Sequence, residues 1–350
     1  MTHTVVWSYF GSRVALGQQK YDVEIQRAIR VAANDSWSLV ARPLVPVRAR
    51  GARGRRFSGR LALRAPWGVA FAMGSLTYRT RHLVHRFDLR LPPAHREVVT
   101  VHDLPPRRFA DEGIVPRSAA ASVKRARAII CPSEFAAAEV GTLLGVERLT
   151  VIPYGVSASF QDAQPANAVQ LERLGVTRPY VVHAAGATER KNLPALAAAW
   201  RNVAALHPEA ALVLCGPPDP RRTQAFHGMP RVHLLGYQTS DTVARLTAAS
   251  AAVVVPSLYE GFGLPALEGM ACGVPVVAAR RGALPEVCTD AALLVEPDAD
   301  GLAEGLHRVL SDEELRQHLG SAGRRRAAAF SWERAADQHL ALYEHVLEHA

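Results

Sequence analysis

Two glutamates eight residues apart, Glu260 and Glu268, bracket a turn in the segment PSLYEGFGLPALEGMACGVPVVAA, 256–279. Carboxylates so placed can accept hydrogen bonds from a pair of hydroxyls or face a developing positive charge. Gly261 and Gly263 let the backbone come close to a ligand, and Pro265 suits the first turn of a helix. The amides near Gly263, Leu264 and Ala266 are then expected as unpaired donors at a helix N-terminus, where an anion or hydroxyls can be held. Two further groups carry charge or protons. Arg190 and Lys191 follow the glycine of AGATERKNL, Gly186, and can hold an anion. His102, in VVTVHDL, sits where a strand ends and puts an imidazole at its mouth.

Positioning these groups needs strands that deliver them to one edge of a sheet. The apolar run 251–255 before the first glutamate reads as a buried parallel strand, and in open α/β sheets ligands bind beyond the carboxyl ends of strands. The N-terminal half alternates apolar runs and amphipathic stretches. Strands are predicted over 5–10, 97–101, 128–131 and 149–153, with helices over 19–33 and 119–128 and another opened by Ser133. Periodicity fades between 157 and 178, where Ser, Gln, Pro and Asn accumulate, so a linker is placed at 161–178. A second series follows, with strands at 180–184, 211–215, 232–235, 252–255, 274–278 and 292–295. The reading is an α/β protein with domains at 1–160 and 179–330, and a last helix over 331–350.

The 350 residues are too many for one ordinary core. With 49% hydrophobic and 21% charged residues the composition is that of a globular protein. The start MTHTVVWSYF lacks a signal peptide's basic end and apolar core, and no run is long enough to span a membrane, so a cytoplasmic location is expected. Cys131, Cys215, Cys272 and Cys288 lack metal-ligand spacing and read as reduced, buried thiols, with no metal site expected. Charge is uneven. Residues 1–160 hold 24 Lys and Arg against 11 Asp and Glu, while the rest of the chain is net acidic. The densest basic stretch, Arg42 to Arg64, reads as a mobile surface loop with two equal explanations. One is a peripheral contact with an anionic membrane, and the other is a genome that favours arginine, since the chain has only Lys20, Lys124 and Lys191. The stretch lacks the interleaved aromatics of a nucleic-acid site, so no nucleic-acid partner is expected, although a basic nucleic-acid-binding protein stands as the alternative from another class.

The motif EGFGLPALEGMACGVPVV resembles the donor-site signature of retaining glycosyltransferases of family 4, and VVTVHDL, AGATERKNL and VHLLGYQTSDTVARLTAAS match that family in the same order. The resemblance implies the GT-B fold, two Rossmann-like βαβ domains facing a central cleft, with the C-terminal helix crossing back to the N-terminal domain. It implies transfer of a hexose, with mannose a candidate, from a GDP- or UDP-sugar to a glycan, glycolipid or small-molecule acceptor that remains unknown and is a candidate for lipid linkage. Polysaccharide or glycolipid assembly is the implied setting. Glu268 would hold the ribose hydroxyls and Glu260 would face the sugar. Arg190 and Lys191 would stabilise the departing diphosphate, and His102 would contact the donor sugar. Phe262, Gly263 and Leu264 would line the donor site, with Gly186, the glycine turn at Gly17 and, beside the base, Tyr237. No cofactor beyond the donor is implied. The chain departs from the pattern at Ala187, where family members often carry arginine. A GT-B epimerase or phosphorylase is the alternative among enzymes.

Overall fold

The computed structural model describes residues 2–11, 17–47 and 54–349. Two compact units account for them, Met1–Gly155 with Trp332–Ala350 as unit 1 and Val156–Ser331 as unit 2.

Unit 1 is built on seven parallel strands: β1 (His3–Phe10), β2 (Trp37–Pro46), β3 (Arg55–Phe57), β4 (Leu83–Arg86), β5 (Glu97–Thr100), β6 (Ala128–Cys131) and β7 (Thr150–Val151). Their order across the sheet is β3-β2-β1-β4-β5-β6-β7. The order reverses between β1 and β4, whose register pairs Val6 with Val84 and Trp7 with His85. Helices α1 (Gln18–Ala32), α2 (Gly59–Arg64), α3 (Trp67–Tyr78), α4 (Ala119–Arg125) and α5 (Glu134–Leu144) cover the faces. The Ser133 hydroxyl caps α5 by accepting from the Ala136 amide at 3.0 Å. Val99, Val101, Ile129 and Cys131 pack against Ala136, Val140 and Leu144 in one core cluster. The C-terminal helix (Trp332–Glu348) belongs to this unit, and its His339 meets the Tyr21 hydroxyl of α1 at 3.0 Å.

The described parts of the stretch Arg42 to Arg64, 42–47 and 54–64, are not the mobile loop expected from its glycines and arginines. Arg42 lies on β2, Arg55 and Arg56 on β3, and Arg60 and Arg64 on α2, while Arg48, Arg50 and Arg53 fall outside the described residues. The arginines conceal ordered structure because their guanidinium groups satisfy backbone carbonyls: Arg42 donates to Tyr78 O, Arg55 to Thr77 O and Arg56 to Val47 O.

Unit 2 has six parallel strands, β8 (Tyr180–Ala184), β9 (Ala211–Cys215), β10 (Val232–Gly236), β11 (Ala252–Val255), β12 (Val276–Ala279) and β13 (Leu293–Val295), ordered β10-β9-β8-β11-β12-β13. Its helices are α6 (Ala158–Gln161), α7 (Ala168–Arg173), α8 (Leu193–Leu206), α9 (Pro220–Ala225), α10 (Ser240–Ala248), α11 (Leu264–Ala271), α12 (Leu284–Cys288), α13 (Ala299–Ser311) and α14 (Glu313–Ala327). Residues 161–178, expected as a linker, lie inside this unit and carry α7. There Asn167 and Gln170 form a reciprocal capping box, which is why polar residues crowd the segment. Strands such as AVVV and VVAA are buried on both faces, as a parallel sheet under helices requires. Leu196, Trp200 and Val203 of α8 and Leu302, Leu306 and Val309 of α13 join Leu212, Val254 and Val277 in the core.

Candidate functional site

The sheet order of unit 2 reverses between β8 and β11, so the loops after these two strands share one crevice at their carboxyl ends. The loop after β8 closes in a 3₁₀ turn, Glu189–Lys191, and Asn192 follows in the left-handed conformation at φ 55°. Its side-chain amide donates to Pro256 O at 3.1 Å and to Pro297 O at 2.6 Å, tying the loop after β8 to those after β11 and β13. The Leu258 amide donates to Arg190 O at 2.8 Å and completes the seam.

Glu260 stands at that seam and is buried. Its Oε1 accepts from Lys191 Nζ at 2.5 Å and from Ser257 Oγ at 2.8 Å, and its Oε2 accepts from Arg190 Nη1 at 3.1 Å. Burial alone would push this carboxyl upward. The Lys191 and Arg190 charges, with the Lys191 and Ser257 hydrogen bonds, overcome it and bring the pKa down to about 2. Arg190 also donates to Tyr259 O at 3.2 Å. The Glu260 backbone is held as firmly: its carbonyl accepts from the Ala283 amide, and Gly282 packs so close that a Cβ there would meet Glu260 N at 2.8 Å and O at 2.7 Å. Two cations and one carboxylate are thus held as a unit with net charge of about +1. The cations expected to await an anion already grip Glu260.

The turn between the glutamates needs its second glycine. Gly263 has φ 105° and caps α11, and a Cβ there would strike Leu284 at 2.7 Å. Helix α11 begins at Leu264, so Pro265 is its second residue. One expected free donor is absent, because the Ala266 amide donates to Gly263 O at 3.0 Å, a tight first turn that satisfies it. Phe262 is buried with its ring edge-on to Phe330 at 5.6 Å. Glu268 projects from α11 half-buried. Gly186 has open space where a Cβ would point, and Tyr237, after β10, is 47% exposed.

Ala187 belongs to the core cluster, so the departure at this position is an apolar residue packed inward. The loop is instead braced from behind by Arg222, buried, which donates to Ala185 O at 2.5 Å and Pro217 O at 2.6 Å. Gly216 makes room for that brace, since a Cβ there would sit 2.1 Å from Ala185 O. Sequence reasoning missed Asn192, Ser257, Gly282 and Arg222. Only the Asn next to Lys191 and the Ser three residues before Glu260 offered a signal.

In unit 1 the corresponding reversal lies between β1 and β4. Beyond the carboxyl ends of β4 and β5 is a cavity of about 120 Å³ lined by Gln18, Asp88, Arg90, His102 and Asp103 with apolar residues around them. His102 is one of its walls. Its Nε2 meets Phe87 O at 2.9 Å and its Nδ1 meets the Tyr154 hydroxyl, so both nitrogens are engaged. Burial dominates and lowers its pKa to about 4, which makes the imidazole neutral. Asp88 accepts from Gln18 at 2.9 Å and pairs with Arg90 at 2.5 Å. Gly17 begins the described chain after 12–16 and caps α1 at φ 47°.

Residues 169–326 match the model of a family described as Glycosyl transferases group 1. A stretch of 118 residues is 46% identical to an MMP alpha-(1->4)-mannosyltransferase of Mycolicibacterium hassiacum, covering 32% of this chain and 29% of that protein. Another of 114 residues is 40% identical to the O-antigen chain mannosyltransferase B of Escherichia coli, covering 32% and 30%. The matched stretches span less than a third of these relatives' own length. Among solved structures, a sucrose-phosphate synthase from Thermosynechococcus elongatus superposes with a TM-score of 0.77 at 22% identity, over 99% of this chain and 100% of that one, which shows the shared fold.

Proposed function

Starting from a chain whose residues 169–326 match the group 1 glycosyl transferases and which has the GT-B fold, we propose that it transfers a hexose, mannose being the first candidate, from a nucleoside-diphosphate sugar with retention of configuration. The observation that carries this reading is the buried Glu260 held by Lys191 and Arg190 at the reversal point of the unit 2 sheet. Departure of a nucleoside diphosphate builds negative charge, and preorganised cations stabilise that charge more than they stabilise the intact donor. An ammonium has three donors, so Lys191 can bridge Glu260 and a phosphate oxygen. Glu268 holds the ribose diol on α11, and Tyr237 lies beside the base.

Glu260 is an anion throughout the working pH range, so it does not deliver a proton. Its role is to accept a hydrogen bond from a sugar hydroxyl and to face the positive charge at the anomeric carbon. Each carboxylate oxygen already accepts a cation's hydrogen bond, which blunts it as a covalent nucleophile. That supports a same-face substitution in which the leaving phosphate takes the acceptor's proton. The named mannosyltransferases among the relatives support mannose, and the carrier in this reading is GDP or UDP. The acceptor is a glycan, glycolipid or small hydroxyl compound.

The test is a panel of nucleoside-diphosphate sugars offered with glycan and lipid acceptors, following nucleotide release. Release with one donor and formation of an α-glycoside from an α-linked donor are the expected results. Background release with every donor and acceptor would remove the transferase reading. Release of sugar isomers without transfer would favour an epimerase.

A further inference from the structure

Helix α3 carries no charged side chain, WGVAFAMGSLTY, and both its faces are apolar. The inner face is packed: Ala70, Gly74, Thr77 and Tyr78 are buried, and a Cβ on Gly74 would meet Pro93 O at 1.7 Å. The outer face turns Gly68, Val69, Ala72, Ser75 and Leu76 to solvent, with Val69 45% and Leu76 66% exposed. Leu61 of the neighbouring α2 adds a third exposed aliphatic at 47%. Single exposed aliphatics are ordinary, but a helix apolar all round is normally covered by protein or by hydrocarbon.

Charge along this segment of the chain is of one sign. Residues 36–87 contain eleven arginines and no aspartate or glutamate. Exposed Arg60 and Arg64 precede α3, and the exposed Arg125 places its guanidinium 5.0 Å from the centre of the Trp67 ring at the helix start. Exposed Arg79 and Arg81 follow its end, where Arg42 and Arg55 also donate to the carbonyls of Tyr78 and Thr77. An aliphatic face with guanidinium groups at each end fits a surface that is itself apolar beneath a layer of negative charge. Nucleic acid would instead call for exposed aromatics among the arginines, and the exposed residues of α3 are Gly68, Val69, Ala72, Ser75 and Leu76.

We propose that the α2–α3 face is a docking surface for an anionic lipid bilayer, with Leu61, Val69 and Leu76 entering the headgroup boundary and Arg60, Arg64, Arg79 and Arg81 pairing with lipid phosphates. The surface is independent of the transfer chemistry, so its test does not depend on a known donor.

The experiment is co-sedimentation of the full chain with vesicles of mixed phosphatidylglycerol and phosphatidylcholine, against phosphatidylcholine alone, at low and high salt. Binding to the anionic vesicles that weakens with salt is expected. Val69→Ser with Leu76→Ser should lower partition by about tenfold or more, and each of Arg60→Ser and Arg79→Ser by about fivefold. All four positions are exposed, and circular dichroism checks the folding of each variant. If the double variant unfolds, Leu76→Gln and the arginine variants decide. Equal pelleting with neutral vesicles, or undiminished binding by folded variants, overturns the proposal. So does a dimer lost in the double variant without vesicle binding, which would make the face a contact between copies. RNA binding that is unchanged in the double variant, again without vesicle binding, overturns it as well.

Discussion

In unit 1 the loops after β4 and β5, beside the sheet reversal, bring Asp88, Arg90 and His102 to a small cavity, and behind them lie His85, Tyr21, Tyr154, His339 and Tyr343, all buried. In unit 2 the strands that flank the reversal, β8 and β11, deliver Lys191, Arg190 and Glu260. The backbone plan is the same, with parallel strands and the same reversal after the first strand. What fills it differs. Behind the Asp88–Arg90 pair, unit 1 keeps neutral imidazoles and phenols bonded to one another: His85 joins Tyr343 to Thr100 and His339 joins Tyr21. Unit 2 keeps full charges desolvated and paired. The difference shows that the reversal point supplies only a location, and side chains set whether that location handles ions or neutral groups.

The contrast breaks most sharply at Glu260. Glu260→Ala leaves Lys191 buried without its carboxylate, so unit 2 should lose about 3–5 kcal/mol. Turnover should fall by about 100-fold or more. Calorimetry and steady-state kinetics check both. If the trio works as one group, adding Lys191→Ala to this variant should restore part of the stability, because no unpaired buried charge remains. Full additivity of the two losses would show that the residues act separately.

A slightly smaller effect is expected at Lys191 alone. Lys191→Ala should lower kcat/KM by about 100-fold, and Lys191→Arg should recover little, since a planar guanidinium does not fit a site built around an ammonium.

Acid should separate the units next. His102 and His339 have pKa values lowered to about 4 and His85 lies well below 6.5, in each case chiefly through burial. The unfolded chain therefore binds more protons than the folded one below pH 6.5. The stability these residues contribute is fully present above 6.5 and is lost as pH falls toward 4, on the order of 3 kcal/mol for each of His102 and His339. Unit 2 has His183, lowered to about 4 by burial, and the half-buried His233, also lowered through burial, and its Glu260 contribution is lost only below 4.5, toward 2. Hydrogen exchange followed by mass spectrometry between pH 6.5 and 4.5 should show unit 1 losing protection first. Equal loss in both units would contradict the contrast.

The mildest change is expected at Glu268. Glu268→Ala should raise donor KM by about tenfold while kcat changes little, as for an interaction made equally in ground and transition states. A large fall in kcat with unchanged KM would mean that the roles of Glu260 and Glu268 are exchanged.

Much of the fold is legible in the chain itself. The apolar runs at 180–184, 211–215 and 252–255 are β8, β9 and β11 because a strand buried on both faces has to be apolar throughout. The glycine and proline around Glu260 announce a turn into a helix. The stretch Arg42 to Arg64 misleads because arginines that bond to carbonyls look, in one dimension, like arginines in solvent. Residues 161–178 mislead because helix caps use the same Asn and Gln that linkers do.

The sequence by itself determined the two parallel sheets, the resemblance to group 1 glycosyl transferases, and which residues carry charge at the candidate site. Local pattern suffices there, since periodicity and turn chemistry act over a few residues. Only the tertiary structure decided that Lys191 and Arg190 grip Glu260, 69 and 70 residues away in the chain, and that Gly282 and Asn192 hold the seam around it. It also decided that His102 is neutral and doubly bonded, and that α3 turns an apolar face outward. The physical reason is common to all four. Pairing, desolvation and exposure depend on which distant segments become neighbours, and no single segment encodes its neighbours.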